Sequence, residues 1–205
     1  MADLEKIMGV SADDIEKIMG VSKDDIEKIM GVEIPASGPA WGGTRGIQFG
    51  GNVSGISNQI QYRTIQSSSD TADFGNLVLA RSEGSGATSN IARAIMHDGG
   101  SGASDVNYTG GVMDYVTVGS TTNASDFGDI TGESIGRGGA AMSNGTLAFM
   151  CAGFDTSGTY RDLDMSYVTI ASTGNSTEAG DILEGQNYCG STSGDTRGLI
   201  WNGNT

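Results

Sequence analysis

Proline is nearly absent from this chain of 205 residues, which holds 2 prolines against 34 glycines. Glycine at that density, without proline and without a Gly-X-Y period, excludes a collagen triple helix. It also excludes a long coiled coil over most of the chain, since each glycine in a helix costs about 1 kcal/mol. Aromatic residues make up only 6%. Charged residues are 18%, below the roughly 25% of ordinary globular proteins. Long apolar runs are missing too. No stretch approaches the ~20 residues that a membrane-spanning helix needs, so no membrane partner is expected. The opening Met1-Ala2-Asp3-Leu4-Glu5 has no basic region leading into an apolar one, so no secretory signal is read there. The one histidine, His97, has no partner motif near it. Cys151 and Cys189 are too few for a disulfide scaffold and match no zinc spacing, so two small buried thiols are expected. Cations are scarce: 11 basic residues face 25 acidic ones, for a formal charge of −14. Such a surface repels phosphate backbones and anionic lipids, and nucleic acid is not an expected partner.

Repetition is what the chain has in abundance. Leu4-Glu5-Lys6-Ile7-Met8-Gly9-Val10 recurs as Ile15-Glu16-Lys17-Ile18-Met19-Gly20-Val21 and as Ile26-Glu27-Lys28-Ile29-Met30-Gly31-Val32, a period of 11 residues. Ser11-Ala12-Asp13-Asp14 and Ser22-Lys23-Asp24-Asp25 read as helix N-caps, with carboxylates in the first turn. Gly20 and Gly31 stand where a glycine ends a helix. Residues 1–32 are therefore expected to form an α-helical leader. Two arrangements fit: short helices broken at each Gly-Val, which the cap and stop signals favour, or one continuous helix with a right-handed supercoil. Neither buries enough alone. The stripe Leu4, Ile7, Met8, Ile15, Ile18, Met19, Ile26, Ile29 and Met30 is accordingly expected to dock on other chains. Residues 33–43 hold both Pro35 and Pro39 and read as a linker.

From residue 44 onward a period near 52 takes over. An apolar strand running into glycine appears at Thr44-Arg45-Gly46-Ile47-Gln48-Phe49-Gly50-Gly51. It returns at Ala92-Arg93-Ala94-Ile95-Met96-His97, at Thr146-Leu147-Ala148-Phe149-Met150-Cys151, and at Thr196-Arg197-Gly198-Leu199-Ile200-Trp201. A second strand alternates with period two: Ile60 to Ile65, Met113 to Val118, and Met165 to Ile170. A glycine corner follows at Gly75, Gly128 and Gly180, each 13 residues after Tyr62, Tyr115 or Tyr167. Fixed spacing marks a repeated supersecondary unit. The expected fold is all-β, with three antiparallel units at 44–91, 92–145 and 146–195 and a closing strand at 196–203. Tyr62, Tyr115, Tyr167, Phe74 and Phe127 are the expected repeat core. Four first strands against three of everything else leave one strand that must cover an edge or pair with another subunit.

These residues resemble a known design. The apolar strand, the double glycine of the first two units (Ala152-Gly153 in the third), the tyrosine and the further aromatic are similar to a divergent kelch repeat. The runs 167–177 and 124–131, with the Thr-Arg-Gly-Leu motif, resemble Gly-rich repeats of structural proteins from tailed bacteriophages. The 11-residue leader resembles leaders that precede such domains. The resemblance implies propeller-like sheets, with a pseudo-threefold prism or trefoil as the alternative. It further implies a virion location, other virion proteins as partners, and a homo-oligomer, a trimer by analogy with phage appendages.

Groupings that carry chemistry are sparse. Asp70 and Asp73, or Asp162 and Asp164, offer oxygen ligands for calcium but read more simply as solvated turns. Gly136-Arg137-Gly138-Gly139 lacks the lysine and helix of a phosphate cradle. Asn52, Asn107, Asn123, Asn144 and Asn175 begin Asn-x-Ser/Thr triplets, as this composition makes inevitable. Arg45, Arg93 and Arg197 recur beside the glycine strands and are expected to tie neighbouring units through carboxylates or carbonyls. No catalytic, metal or cofactor residue is assigned. The expected function is a non-enzymatic fibre or decoration subunit. The alternative is a receptor- or glycan-binding adhesin whose loops 101–112 and 154–164 meet host surface glycan.

Overall fold

The computed structural model describes residues 6–7, 10–11, 17–18, 21–22, 28–29 and 32–33 of the leader. Beyond it, residues 44–52, 54–82, 86–97, 111–131, 138–151, 153–154, 163–194, 196–201 and 203 are described. The chain divides into two compact units, Met1–Gly42 and Gly43–Thr205, and the division falls at the end of the Pro/Gly linker segment.

In the first unit the described residues form three short antiparallel pairs: β1 (Lys6–Ile7) with β2 (Val10–Ser11), β3 (Lys17–Ile18) with β4 (Val21–Ser22), and β5 (Lys28–Ile29) with β6 (Val32–Glu33). The expected helices are not found at these residues. β-Branched Ile and Val flank a Met-Gly dipeptide, and the pairing of Ile7 with Val10 leaves a two-residue connection, the length of a tight hairpin. Ile7, Ile18 and Ile29 lie on β1, β3 and β5. Leu4, Met8, Ile15, Met19, Ile26 and Met30 of the docking stripe lie outside the described residues, as do most positions on which helices were expected.

The second unit holds four antiparallel meanders. The first sheet is β7 (Arg45–Asn52), β8 (Ile56–Thr64) and β9 (Ala72–Arg81). The second is β10 (Gly86–Ser89), β11 (Arg93–His97), β12 (Val112–Thr117) and β13 (Ser125–Asp129). The third is β14 (Ala140–Ser143), β15 (Leu147–Cys151), β16 (Asp164–Thr169) and β17 (Thr177–Asp181). The fourth pairs β18 (Gly190–Ser193) with β19 (Gly198–Trp201). Two expectations are corrected here. Each of the last three sheets begins one strand earlier than the sequence units. The closing strand 196–203 is also not left over, because β19 is paired with β18 of its own chain.

The missed strands β10, β14 and β18 are short and built of Gly, Ala, Ser, Thr and one Met. Their size has a cause. β10 lies against β14, and β14 against β18. A Cβ on Gly86 would sit 2.7 Å from the Ala141 amide nitrogen and 2.8 Å from His97 Nε2.

Alternation of side chains along each strand sends apolar residues to both faces, so cores form between consecutive sheets. Ile60, Phe74 and Leu77 of the first sheet meet Ala94, Met96, Val116 and Val118 of the second. Ile95, Met113 and Phe127 of the second meet Ala148, Met150, Val168 and Ile170 of the third. Ala140, Met142 and Cys151 of the third meet Ile200 of the fourth. The Tyr-to-Gly spacing also acquires a shape. In all three complete outer hairpins the register slips at the same place, leaving Phe74, Phe127 or Ala179 as the extra residue of a β-bulge just before the corner glycine. The two bulged phenylalanines are buried, edge-on to Tyr62 and Tyr115 at 5.8 and 5.7 Å. All three tyrosines are half-buried. Tyr167 faces Phe149 instead, because Ala179 stands where the phenylalanine would be.

Candidate functional site

The polar side chains that do more than close local turns gather where one sheet meets the next, in three layers. Outermost is a socket at the corner glycine. Gly75 has φ +146°, and a Cβ there would lie 2.5 Å from the Thr122 carbonyl oxygen of the second sheet's turn. The space left open admits Asn123. Its Oδ1 accepts the Asn76 N–H at 3.0 Å, while the Ala124 N–H donates to the Asn76 carbonyl at 2.8 Å. The second and third sheets repeat the joint. Gly128 gives way to Gly174, Asn175 Oδ1 accepts the Asp129 N–H at 3.1 Å, and the Ser176 N–H donates to the Asp129 carbonyl at 2.9 Å.

The middle layer is an arginine clamp. Arg45 stacks over Tyr62 of its own sheet at 4.8 Å and donates to the Val118 carbonyl of the next at 2.8 Å. Arg93 stacks over Tyr115 at 4.8 Å and donates to the Ile170 carbonyl at 3.1 Å. A planar guanidinium serves both contacts at once: its face lies on the ring while its edge donates. Arg197 holds the same repeat position just before β19 but is exposed, with no side-chain partner among the described residues.

The inner layer is a sealed polar cluster. Arg81 Nη2 lies 2.6 Å from Asp114 Oδ2, both side chains having zero exposure, and Arg81 Nη1 donates to the Val112 carbonyl at 2.9 Å. The Val78 N–H donates to the same carboxylate at 3.1 Å. Burial pushes the Asp114 carboxyl up, and the Arg81 guanidinium is the strongest influence pulling it back. His97 is also buried, with neither ring nitrogen hydrogen-bonded among the described residues. Burial holds its pKa down at about 3. The Ala140 backbone beside the ring opposes that shift without making a well-formed hydrogen bond, and the Arg81 charge adds to it. The acid, base and cation of this cluster are thus all enclosed.

His97 sets a pH limit on the fold. Its folded pKa of about 3 lies below the ordinary 6.5, so the unfolded chain binds the extra proton. Stability attributable to His97 is full above about pH 6.5 and falls as pH drops toward 3, with a slope approaching 1.4 kcal/mol per pH unit. As pH falls from 6.5 toward 3, the urea midpoint of the parent should drop relative to that of His97→Leu. A parallel shift at every pH would contradict a neutral buried histidine.

Other sequence candidates fall elsewhere. Asp70 and Asp73 are exposed on the first sheet's turn and outer strand. Asp162 lies outside the described residues, as do Gly136, Arg137, Asn107 and most of the two loops. No cluster of His, Cys, Asp and Glu able to hold a metal ion occurs among the described residues. Asn52 and Asn144 close local turns by accepting backbone N–H groups. Cys151 is buried and its thiol is pushed up to about 12 by burial and by nearby Cys189, which burial also raises. Neither is a ready thiolate near neutral pH. Sequence reasoning missed the joint role of Asn123 and Asn175. The signal was there: each stands eight residues after the tyrosine and five before the corner glycine. No protein-family model matches this chain, and no curated protein matches it in sequence.

Proposed function

We propose that this chain is a non-enzymatic structural protein of a tailed-bacteriophage particle, a fibre or decoration subunit. One observation carries the reading. Among the described residues, the buried Arg81 and Asp114 and the half-buried Arg45 and Arg93 join sheet to sheet. The kelch-like repeat and the leader-linker-repeat layout supply the particle context. In this reading the leader docks on other virion proteins and assembles the chain as a homo-oligomer, a trimer by resemblance to phage appendages. The sheets are consecutive members of a propeller-type array. The adjacency of β10, β14 and β18 supports that arrangement over a prism or trefoil.

Purified particles should contain the chain in fixed stoichiometry. Deleting residues 1–32 should abolish that incorporation while the circular dichroism of the remaining domain keeps its β signature. A chain found only in the soluble fraction of infected cells contradicts the proposal. Specific binding of the isolated chain to host glycan favours the adhesin instead.

A further inference from the structure

Two joints between sheets are complete, and a third is built but empty. At the third corner glycine, Gly180, no atom of the described residues lies within 4 Å of a Cβ position, whereas the matching positions at Gly75 and Gly128 meet the next turn at 2.5 Å. Asp181, whose counterparts Asn76 and Asp129 donate their N–H to an asparagine, is exposed, and Leu183 just beyond it is fully exposed. The same end of the array carries an open strand edge. β11 and β15 are paired on both sides, while among the described residues β19 is paired only with β18. On one face of β19, Leu199 is 59% and Trp201 44% exposed, where Ile95 and His97 of β11 are each 1% exposed. Arg197 waits beside them without a tyrosine to stack on.

We propose that the β19 edge and the Gly180 corner together form a docking site for a β-hairpin of the β12–β13 type lying outside residues 1–205. The proposal stands on the joint geometry alone and does not depend on the particle reading. The hairpin's first strand would add antiparallel to β19, satisfying its open backbone groups. Its tyrosine would fall under Arg197, as Tyr115 does under Arg93. Its turn would settle against Gly180, with an asparagine accepting the Asp181 N–H as Asn123 and Asn175 accept theirs. The interface is thus a continuation of one already made twice. A second copy of this chain offers no free strand of the β12 type among the described residues. The inner edges of β8, β12 and β16 are already taken by β7, β11 and β15. The first sheet also offers exposed Gln48 and Arg63 where β11 and β12 bury Met96 and Val116.

The test uses the full chain carrying Trp41→Phe, so that Trp201 is its only tryptophan. The probe is a synthetic peptide of residues 111–131, cyclised through its ends to keep the two strands paired. Titration should change Trp201 emission saturably at one peptide per chain. Asn123→Leu in the peptide should weaken binding by about tenfold, the loss of one well-placed hydrogen bond. Leu199→Asp in the chain should weaken it at least as much while the circular dichroism is unchanged, since the residue is exposed. No saturable change, or equal binding by the Asn123→Leu peptide, overturns the proposal. So does self-association of the chain that Leu199→Asp abolishes and the peptide does not compete with, which would make the occupant a second copy.

Discussion

Replacing Asp114 with alanine is expected to destabilise the repeat domain by roughly 3–5 kcal/mol, the usual cost of leaving one member of a buried ion pair alone. The argument rests on what remains rather than on what is lost. Arg81 is a fully buried guanidinium, and Asp114 is its ion-pair partner. With Asp114 gone, its guanidinium keeps one hydrogen bond among the described residues, to the Val112 carbonyl. The Val78 N–H loses its acceptor in the same step. The double variant Arg81→Met/Asp114→Leu separates pairing from packing. It removes both charges at similar volume, and buried pairs replaced in this way are often neutral or better. Urea unfolding should therefore show a midpoint much reduced in Asp114→Ala and largely restored in the double variant. A double variant as weak as the single one would mean that the pair contributes more than mutual neutralisation.

Gly128→Ala should be comparably damaging, and Gly180→Ala should not. Both glycines hold positive φ, +136° and +93°, so each substitution carries backbone strain of about 1–2 kcal/mol. They differ in surroundings. A Cβ at Gly128 lies 2.5 Å from the carbonyl carbon and oxygen of Gly174, backbone that cannot yield without parting the second sheet from the third. At Gly180 nothing lies within 4 Å. The expected outcome is a loss at Gly128 exceeding that at Gly180 by about 2 kcal/mol or more, in the range of overpacked cores. Equal losses in thermal or urea unfolding would show that the corner's conformation, and not the neighbouring turn, demands glycine.

What could be read from the chain alone was whatever depends on residues close in sequence. Alternation from Met113 to Val118 and from Met165 to Ile170 marked strands β12 and β16, because side-chain period is a local property. The constant step from tyrosine to glycine marked the outer hairpin, and the structure explains it as a bulge followed by a left-handed corner. Pro35 and Pro39 stand shortly before the division between the two units. The leader showed the opposite weakness: its caps and stripe fit helices, yet Ile beside Met-Gly-Val also fits a hairpin, and short segments lack the length to decide. Strands β10, β14 and β18 carried no apolar signal, because their small residues are dictated by the close approach of a neighbouring strand some 50 residues away. Arg81, His97 and Asp114 share no motif, and only the stacking of sheets encloses them. Local pattern determined the apolar strands of the repeat and where their outer hairpins turn. Which faces are covered, which charges are sealed and which edge is left open were decided by contacts between sheets, where the partner atoms lie 31 to 77 residues apart.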